Sequence, residues 1–269
     1  MSVQAWAAKA RSSAEYQSVE SQRLIDAYQS LLEGKSTPQD AAQIVSTILE
    51  PIIKRSPDDK HTAFVWGFLC DSVRHLGGDK AVSERLVDFL DSIVKLDVKD
   101  DLGNIIKHEW GGRFWSNLPT FALMFREYGI SIEPYEEMEM EINDWVAQKT
   151  PYYNATTFAA VCLTRSSNLS GMAFYIKDCM EEARDESCDE PELRFRAALY
   201  MPAASAWISI AGRRIYDMCK DKEWGLSMDD WNSWKMGLGR IGGTAKVDEE
   251  ARETAIGIKD TMEAIQSEH

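Results

Sequence analysis

Apolar side chains recur along this chain roughly every three to four residues, the period of a helix with one buried face. Leu24, Ile25, Tyr28, Leu31 and Leu32 form one such stripe, and Ile44, Val45, Ile48, Leu49, Ile52 and Ile53 form the next. Strand-like alternation is nearly absent. The punctuation agrees with helices: Gly34 closes the first, Thr37 and Pro38 open the second, Pro57 opens a third, and Gly77 and Gly78 end it ahead of Asp79. The pattern continues through residues 83–96 and predicts further helices over 118–128, 134–147, 152–164, 169–183, 192–220, 228–238 and 248–265. About eleven helices result, with Pro202 breaking or kinking the longest candidate into a buried pair. Between residues 97 and 115 the period fades, and Asp100, Asp101, Gly103, Asn104, Gly111 and Gly112 mark a long loop.

The expected fold class is all-α, a single large helical domain without the repeat period of a solenoid. Within it, residues 1–56 are expected to form an N-terminal helical pair packed on the main body, and residues 57–269 the main helical domain. A hydrophobic content of 44% over 269 residues is enough for a sizeable core. The longest uncharged run, residues 197–212, contains Pro202 and falls short of the roughly 20 apolar residues that span a bilayer, so no membrane span is expected.

Charge changes the picture of partners. The net charge is −14, and residues 133–144 and 178–192 contribute −6 and −7 of it. Such a surface repels phosphate backbones, so no nucleic acid is expected to bind. Cys70, Cys162, Cys179, Cys188 and Cys219 form an odd set without CxxC or CxxH spacing, which argues against a disulfide framework or a zinc knuckle. The first ten residues lack the apolar core of a secretory signal. A reducing, cytoplasmic setting fits, and the glycosylation sequons at Asn154 and Asn168 carry no weight there.

Catalytic motifs fail in turn. Gly237-Leu238-Gly239-Arg240-Ile241-Gly242 matches GxGxxG by letter, but a dinucleotide fold needs a strand before it and a βαβ unit after it. A Trp-rich helix precedes it here and 27 residues follow, so a glycine-rich helix end is expected. His108-Glu109-Trp110-Gly111-Gly112 opens like HExxH but ends in Gly112, which removes the second imidazole ligand. The acid pairs Asp58-Asp59, Asp100-Asp101 and Asp229-Asp230 do not extend to DDxxD or DDxxE. Asp178, Glu182 and Glu186 share one helix face at i, i+4, i+8, where surface charge is the simpler reading than chelation. No cofactor and no metal is expected.

Small residues beside bulky aromatics set the most distinctive stretch, residues 200–235. Nine tryptophans are many for this length, and Trp110, Trp115, Trp207, Trp231 and Trp234 gather near the loop and the C-terminal helices. Packed helices around flat rings make either a core or an aromatic pocket. Candidate ligand-binding residues are therefore Trp110, Arg113, Trp115, Trp207, Trp231 and Trp234. Arg113, together with Arg213 and Arg214, is placed to hold an anionic group or to neutralise surface acids.

These residues resemble a family of filamentous-fungal proteins catalogued as a domain of unknown function, number 3632 in its series. The resemblance runs through Gly112, Arg113, Trp115, Leu118, Pro119 and Phe121; Asn154, Phe158, Ala159, Leu163 and Thr164; Pro202, Ala203, Ala204, Trp207, Ile208, Ala211, Gly212, Ile215 and Tyr216; and Trp231, Trp234 and Lys235. It covers the chain from near His61 to Ile265. It implies a fungal, intracellular, helical protein with no established activity and no catalytic residues to carry over. The chain departs from the pattern at Asp230, where Arg is expected, and at Val161-Cys162, where Ala-Arg is expected.

The leading expectation is a cytoplasmic binding protein whose aromatic-lined cavity takes an apolar small molecule or a protein partner's segment. The alternative is an enzyme of specialised metabolism, a cyclase or isomerase, with Asp100, Asp101 or Glu109 as acid and base and Arg113 orienting the substrate. A structural, self-associating helical protein, active as a homo-oligomer, is the third reading.

Overall fold

A computed structural model of the chain describes residues 1–57, 63–108, 112–131, 142–188 and 190–268. The chain is all-α. Eleven helices lie among the described residues, and no strand does: α1 Val3–Ser12, α2 Val19–Leu32, α3 Pro38–Arg55, α4 Ala63–Leu76, α5 Lys80–Ile93, α6 Phe121–Met124, α7 Ile142–Arg165, α8 Phe174–Arg184, α9 Glu190–Asp221, α10 Met228–Gly243 and α11 Glu249–Ser267. The expected helix over residues 134–147 falls largely outside the described residues, as do His61, the Asp58-Asp59 pair and most of the first acidic run.

The starts of these helices follow from local chemistry. Ser2, Ser18, Thr37, Asp79, Ser227 and Asp248 each sit just ahead of a helix in extended conformation and accept a hydrogen bond from an amide of its first turn. Each satisfies a backbone donor that the helix cannot, an effect of about 1 kcal/mol per cap. Thr37 carries Pro38 in the next position, and Gly34, with φ of 70°, turns the chain out of α2 as the sequence predicts.

Three differences from the sequence pattern have physical causes. The N-terminal helix α1 escapes the pattern because its buried stripe is Trp6, Ala7 and Ala10, two of which are alanines with little hydrophobic signal. Prolines do not end helices here: Pro51, Pro151 and Pro202 all lie inside α3, α7 and α9. The expected pair around Pro202 is one helix of 32 residues. An interior proline removes one hydrogen bond and crowds a carbonyl, a cost of about 3 kcal/mol; Leu199, Met201, Ala203, Ala204 and Trp207 on both sides of Pro202 are buried, and their packing outweighs it. Finally, the stretch expected to be helical from residue 118 shrinks to the single turn α6 and a π-turn, Phe125–Gly129. Leu118 and Thr120 stand in left-handed backbone conformation around Pro119 and delay the start.

Contacts gather the chain into two compact units, Met1–Ser131 and Ile132–His269. In the first, α2 packs on α1, α3, α4 and α5, while α4 carries α6 and the π-turn. The loop of residues 97–115 is tied to itself by isolated bridges between Lys99 and Ile105 and between Lys107 and Arg113. In the second, α9 is the common neighbour of α7, α8, α10 and α11.

Helix α11 offers a clean test of this reading. Gly257 lies in mid-helix with open space where a Cβ would go. Gly257→Ala is expected to raise the unfolding free energy by about 1 kcal/mol through helix propensity alone; a denaturant titration showing loss of stability would contradict the open surface assigned to it.

Candidate functional site

The tryptophans of the two units are satisfied differently. In the first unit, Trp66 and Trp115 meet edge to face at 6.1 Å, Phe114 stands on Trp115 at 4.9 Å and Phe121 on Trp66 at 5.4 Å. Each indole has an acceptor: Trp66 Nε1 donates to the Pro119 carbonyl at 2.5 Å, Trp115 Nε1 to Ser46 Oγ at 3.0 Å and Trp6 Nε1 to Asp71 Oδ2 at 2.7 Å. Trp115 is completely buried, so it fastens the end of the long loop to α3. Arg113 lies beside it and spans the end of α5, donating to the carbonyls of Val94 and Lys95 and pairing with Asp97 at 3.4 Å. A cation there complements the negative end of the helix dipole. Trp110 and Glu109 lie outside the described residues.

In the second unit, Trp207, Trp231 and Trp234 are all fully buried. Trp231 meets Tyr216 of α9 at 5.1 Å. Trp234 Nε1 donates to Glu181 Oε1 at 3.1 Å. The Nε1 atoms of Trp207 and Trp231 have no protein acceptor, nor have the buried hydroxyls of Thr156 and Thr157 on α7. An unsatisfied buried donor costs about 1–3 kcal/mol, so these positions mark interior polarity of the kind a ligand group or an ordered water satisfies.

A cleft of about 470 Å³ opens where the end of α8 and the turn after it face α9 and α10, lined by Glu181, Glu182, Arg184, Asp185, Glu186, Ser187, Arg196 and Arg240. Its charges are arranged in pairs. Arg184 donates from Nε to Glu181 at 2.6 Å, Arg240 is bonded through Nε to Glu186, and Arg196 holds Glu182, with Asp185 at 3.4 Å and Glu192 at 3.3 Å. Partial burial works against the charge of Arg196, but Glu182 and Asp185 outweigh it and raise its pKa further. Asp185 is held below the usual carboxylate range: burial opposes this, and the Ser187 amide and hydroxyl with Arg196 prevail.

The glycine motif contributes Arg240 to the lining of this cleft, and its glycines pack beside it. Gly237 lies in α10, and a Cβ there would stand 2.6 Å from Cβ of Arg184; at Gly242 it would stand 2.6 Å from Cγ1 of Ile256 in α11. These glycines let neighbouring helices touch the α10 backbone, which is a packing role rather than the cradling of a phosphate. Glu181 thus receives Trp234 from the core side and Arg184 from the cleft side.

Compared with known proteins, residues 66–243 match the profile of one family, described as Protein of unknown function (DUF3632). The chain belongs to the DUF3632 family. No curated protein and no solved structure matches it. The match runs from α4 to the last residue of α10, so the DUF3632 region takes in residues of both compact units and the whole lining of the cleft.

Two of the acid and base candidates of this DUF3632 protein, Asp100 and Asp101, are held by neighbouring groups. Asp100 Oδ1 accepts from the amides of Leu102 and Asn104 at 2.9 and 2.8 Å, and Oδ2 from the Asn104 side chain at 3.0 Å. The Asn104 contacts foremost hold its carboxyl below the ordinary value, the opposite of the raised pKa that a general acid needs. Asp101 is exposed and pairs with Lys54 at 3.1 Å. Burial pushes the thiols of Cys70, Cys179 and Cys219 up to about 12, which makes them poor nucleophiles. Arg213 pairs with Glu268 and Arg214 with Glu223. Asp230 accepts from Ser227 and pairs with Lys177, while Val161 and Cys162 are buried. Asp178, Glu182 and Glu186 do not form one helical face, because α8 ends at Arg184; no cluster of three metal-ligating side chains occurs among the described residues.

Sequence reasoning marked the acidic run but missed Arg184, Arg196 and Arg240 as a set. The signal was present in part as Glu192 and Arg196 at i, i+4; Arg240 is 54 residues from Glu186 and is brought to it only by the fold. Gly237→Ala tests the close approach of Arg184 to α10 directly. A methyl group must displace the Arg184 stem, a cost of about 1–3 kcal/mol against a helix gain of about 1. A net loss of unfolding free energy is expected, opposite in sign to Gly257→Ala in the same assay.

Proposed function

We propose that this protein binds a small molecule and that a charged part of the ligand lodges in the cleft between α8, α9 and α10. The observation that carries the reading is the cleft itself: its volume of about 470 Å³ falls within the roughly 300–1,000 Å³ of small-molecule sites. Its guanidiniums also keep donors in reserve. Arg240 spends Nε on Glu186, and Arg184 spends Nε and Nη2 on Glu181, which leaves further N–H groups for an anionic ligand group. Glu182 and Asp185 suit a hydroxyl or amino group alongside it. The net charge of −14 repels extended polyanions, so the ligand is a small acid or zwitterion. Five free thiols support a reducing, cytoplasmic setting.

A second reading keeps the apolar ligand or partner segment expected among the aromatics. What favours it is the pair of buried indole N–H groups of Trp207 and Trp231 without acceptors.

Native mass spectrometry with metabolite extraction, on protein purified from its source organism, separates the two. A polar co-purifying molecule is expected whose occupancy falls about tenfold or more in Arg240→Gln and is unchanged in Trp207→Phe. Retention in Arg240→Gln with loss in Trp207→Phe selects the second reading, and protein that carries no small molecule at any stage of gentle purification overturns both.

A further inference from the structure

We propose that His75 is a proton-operated latch on α1, holding that helix against α4 while neutral and loosening it when protonated. The geometry lies in four side chains. Trp6 of α1 is completely buried and donates from Nε1 to Asp71 Oδ2 of α4 at 2.7 Å. One turn along each helix, Lys9 Nζ of α1 stands 3.1 Å from His75 Nε2 of α4. Asp71 Oδ1 stands 3.5 Å from the same nitrogen.

An ammonium group has donors only, so the contact with Lys9 requires a lone pair on Nε2. In the proposed docked state the ring is therefore neutral, with its proton on Nδ1. Protonation turns Nε2 into a donor. The bond across the helix boundary is then replaced by two facing cations, and the new N–H has an acceptor on its own helix in Asp71, one turn earlier. A single proton thus moves the imidazole's partner from α1 to α4.

The surrounding charges set the direction. His75 is half-buried, and burial is the main cause that lowers its pKa below the ordinary 6.5; Asp71 pulls the other way, while Lys9, Arg74 and the amino terminus oppose a further positive charge. Tyr16, in the turn after α1, has its pKa raised by burial and by Asp71, so its hydroxyl stays neutral and does not compete. Because the docked state has the lowered pKa, the undocked state takes up the proton first. The docking contribution of His75 is complete above about pH 6.5 and is lost as pH falls through the ordinary histidine range toward the lowered value.

Hydrogen exchange on the full chain, between about pH 7.5 and pH 5, tests the latch through protection factors, which remove the intrinsic pH dependence of exchange. Amides of α1 are expected to lose protection by about threefold or more on acidification, while those of α11 do not. His75→Gln keeps a neutral acceptor for Lys9 and is expected to abolish the step; Lys9→Met removes the cation that protonation repels and is expected to shrink it. Constant protection of α1 in the unmodified chain, or a step that survives in both variants, overturns the proposal.

Discussion

Helix α10 lies against α8 and α11 with bare backbone at Gly237 and Gly242, where a Cβ would collide with Arg184 and Ile256. Much of the second unit follows from that constraint. With the Arg184 stem resting on the backbone at Gly237, the end of α8 comes close enough for Trp234 to reach Glu181 and for Arg240 to reach Glu186. On the same helix Trp231 and Trp234 are both fully buried. A letter match to a dinucleotide fingerprint is thus explained by helix packing: close backbone approach is what glycine supplies in either setting, and the partner here is a side chain.

The buried indoles of the two units are satisfied differently. In the first, every buried indole described finds an oxygen, and two of these bonds, from Trp115 to α3 and from Trp66 to Pro119, hold the irregular stretch between α5 and α6 onto helical scaffolding. Trp115 and Trp66 lie 69 and 53 residues from their acceptors, so the loop is fixed by long-range contacts rather than by its own weak bridges. In the second unit, α9 and α10 bury the indoles of Trp207 and Trp231 without acceptors, while the cleft arginines pair with carboxylates.

Much of the fold was legible in the sequence because helix signals are local. Ser and Thr caps, Gly34 and the three-to-four spacing of apolar residues act within one or two turns, and the all-α class followed from them. Proline misled because its penalty is local while its compensation is not: nothing near Pro202 in sequence reveals that α7, α8 and α11 enclose the helix. Alanine hid α1 for the opposite reason, since a small side chain can be fully buried without announcing itself. The site was less legible still. Buried tryptophans read the same whether they line a pocket or fill a core, and Arg113, which sits beside Trp115 in sequence, is committed to the end of α5. The guanidiniums of the cleft come from three separate helices, and their convergence is a property of tertiary packing alone.

Four of the five thiols are sealed in the interior; Cys188, in the turn between α8 and α9, is partly exposed and stands against Arg196. Burial and Glu192 keep it protonated, so it reacts slowly, yet it is the thiol that solvent reaches. A maleimide-linked fluorophore therefore attaches at one place, next to Ser187 and Arg196 of the cleft lining, and gives this chain a built-in reporter of changes there.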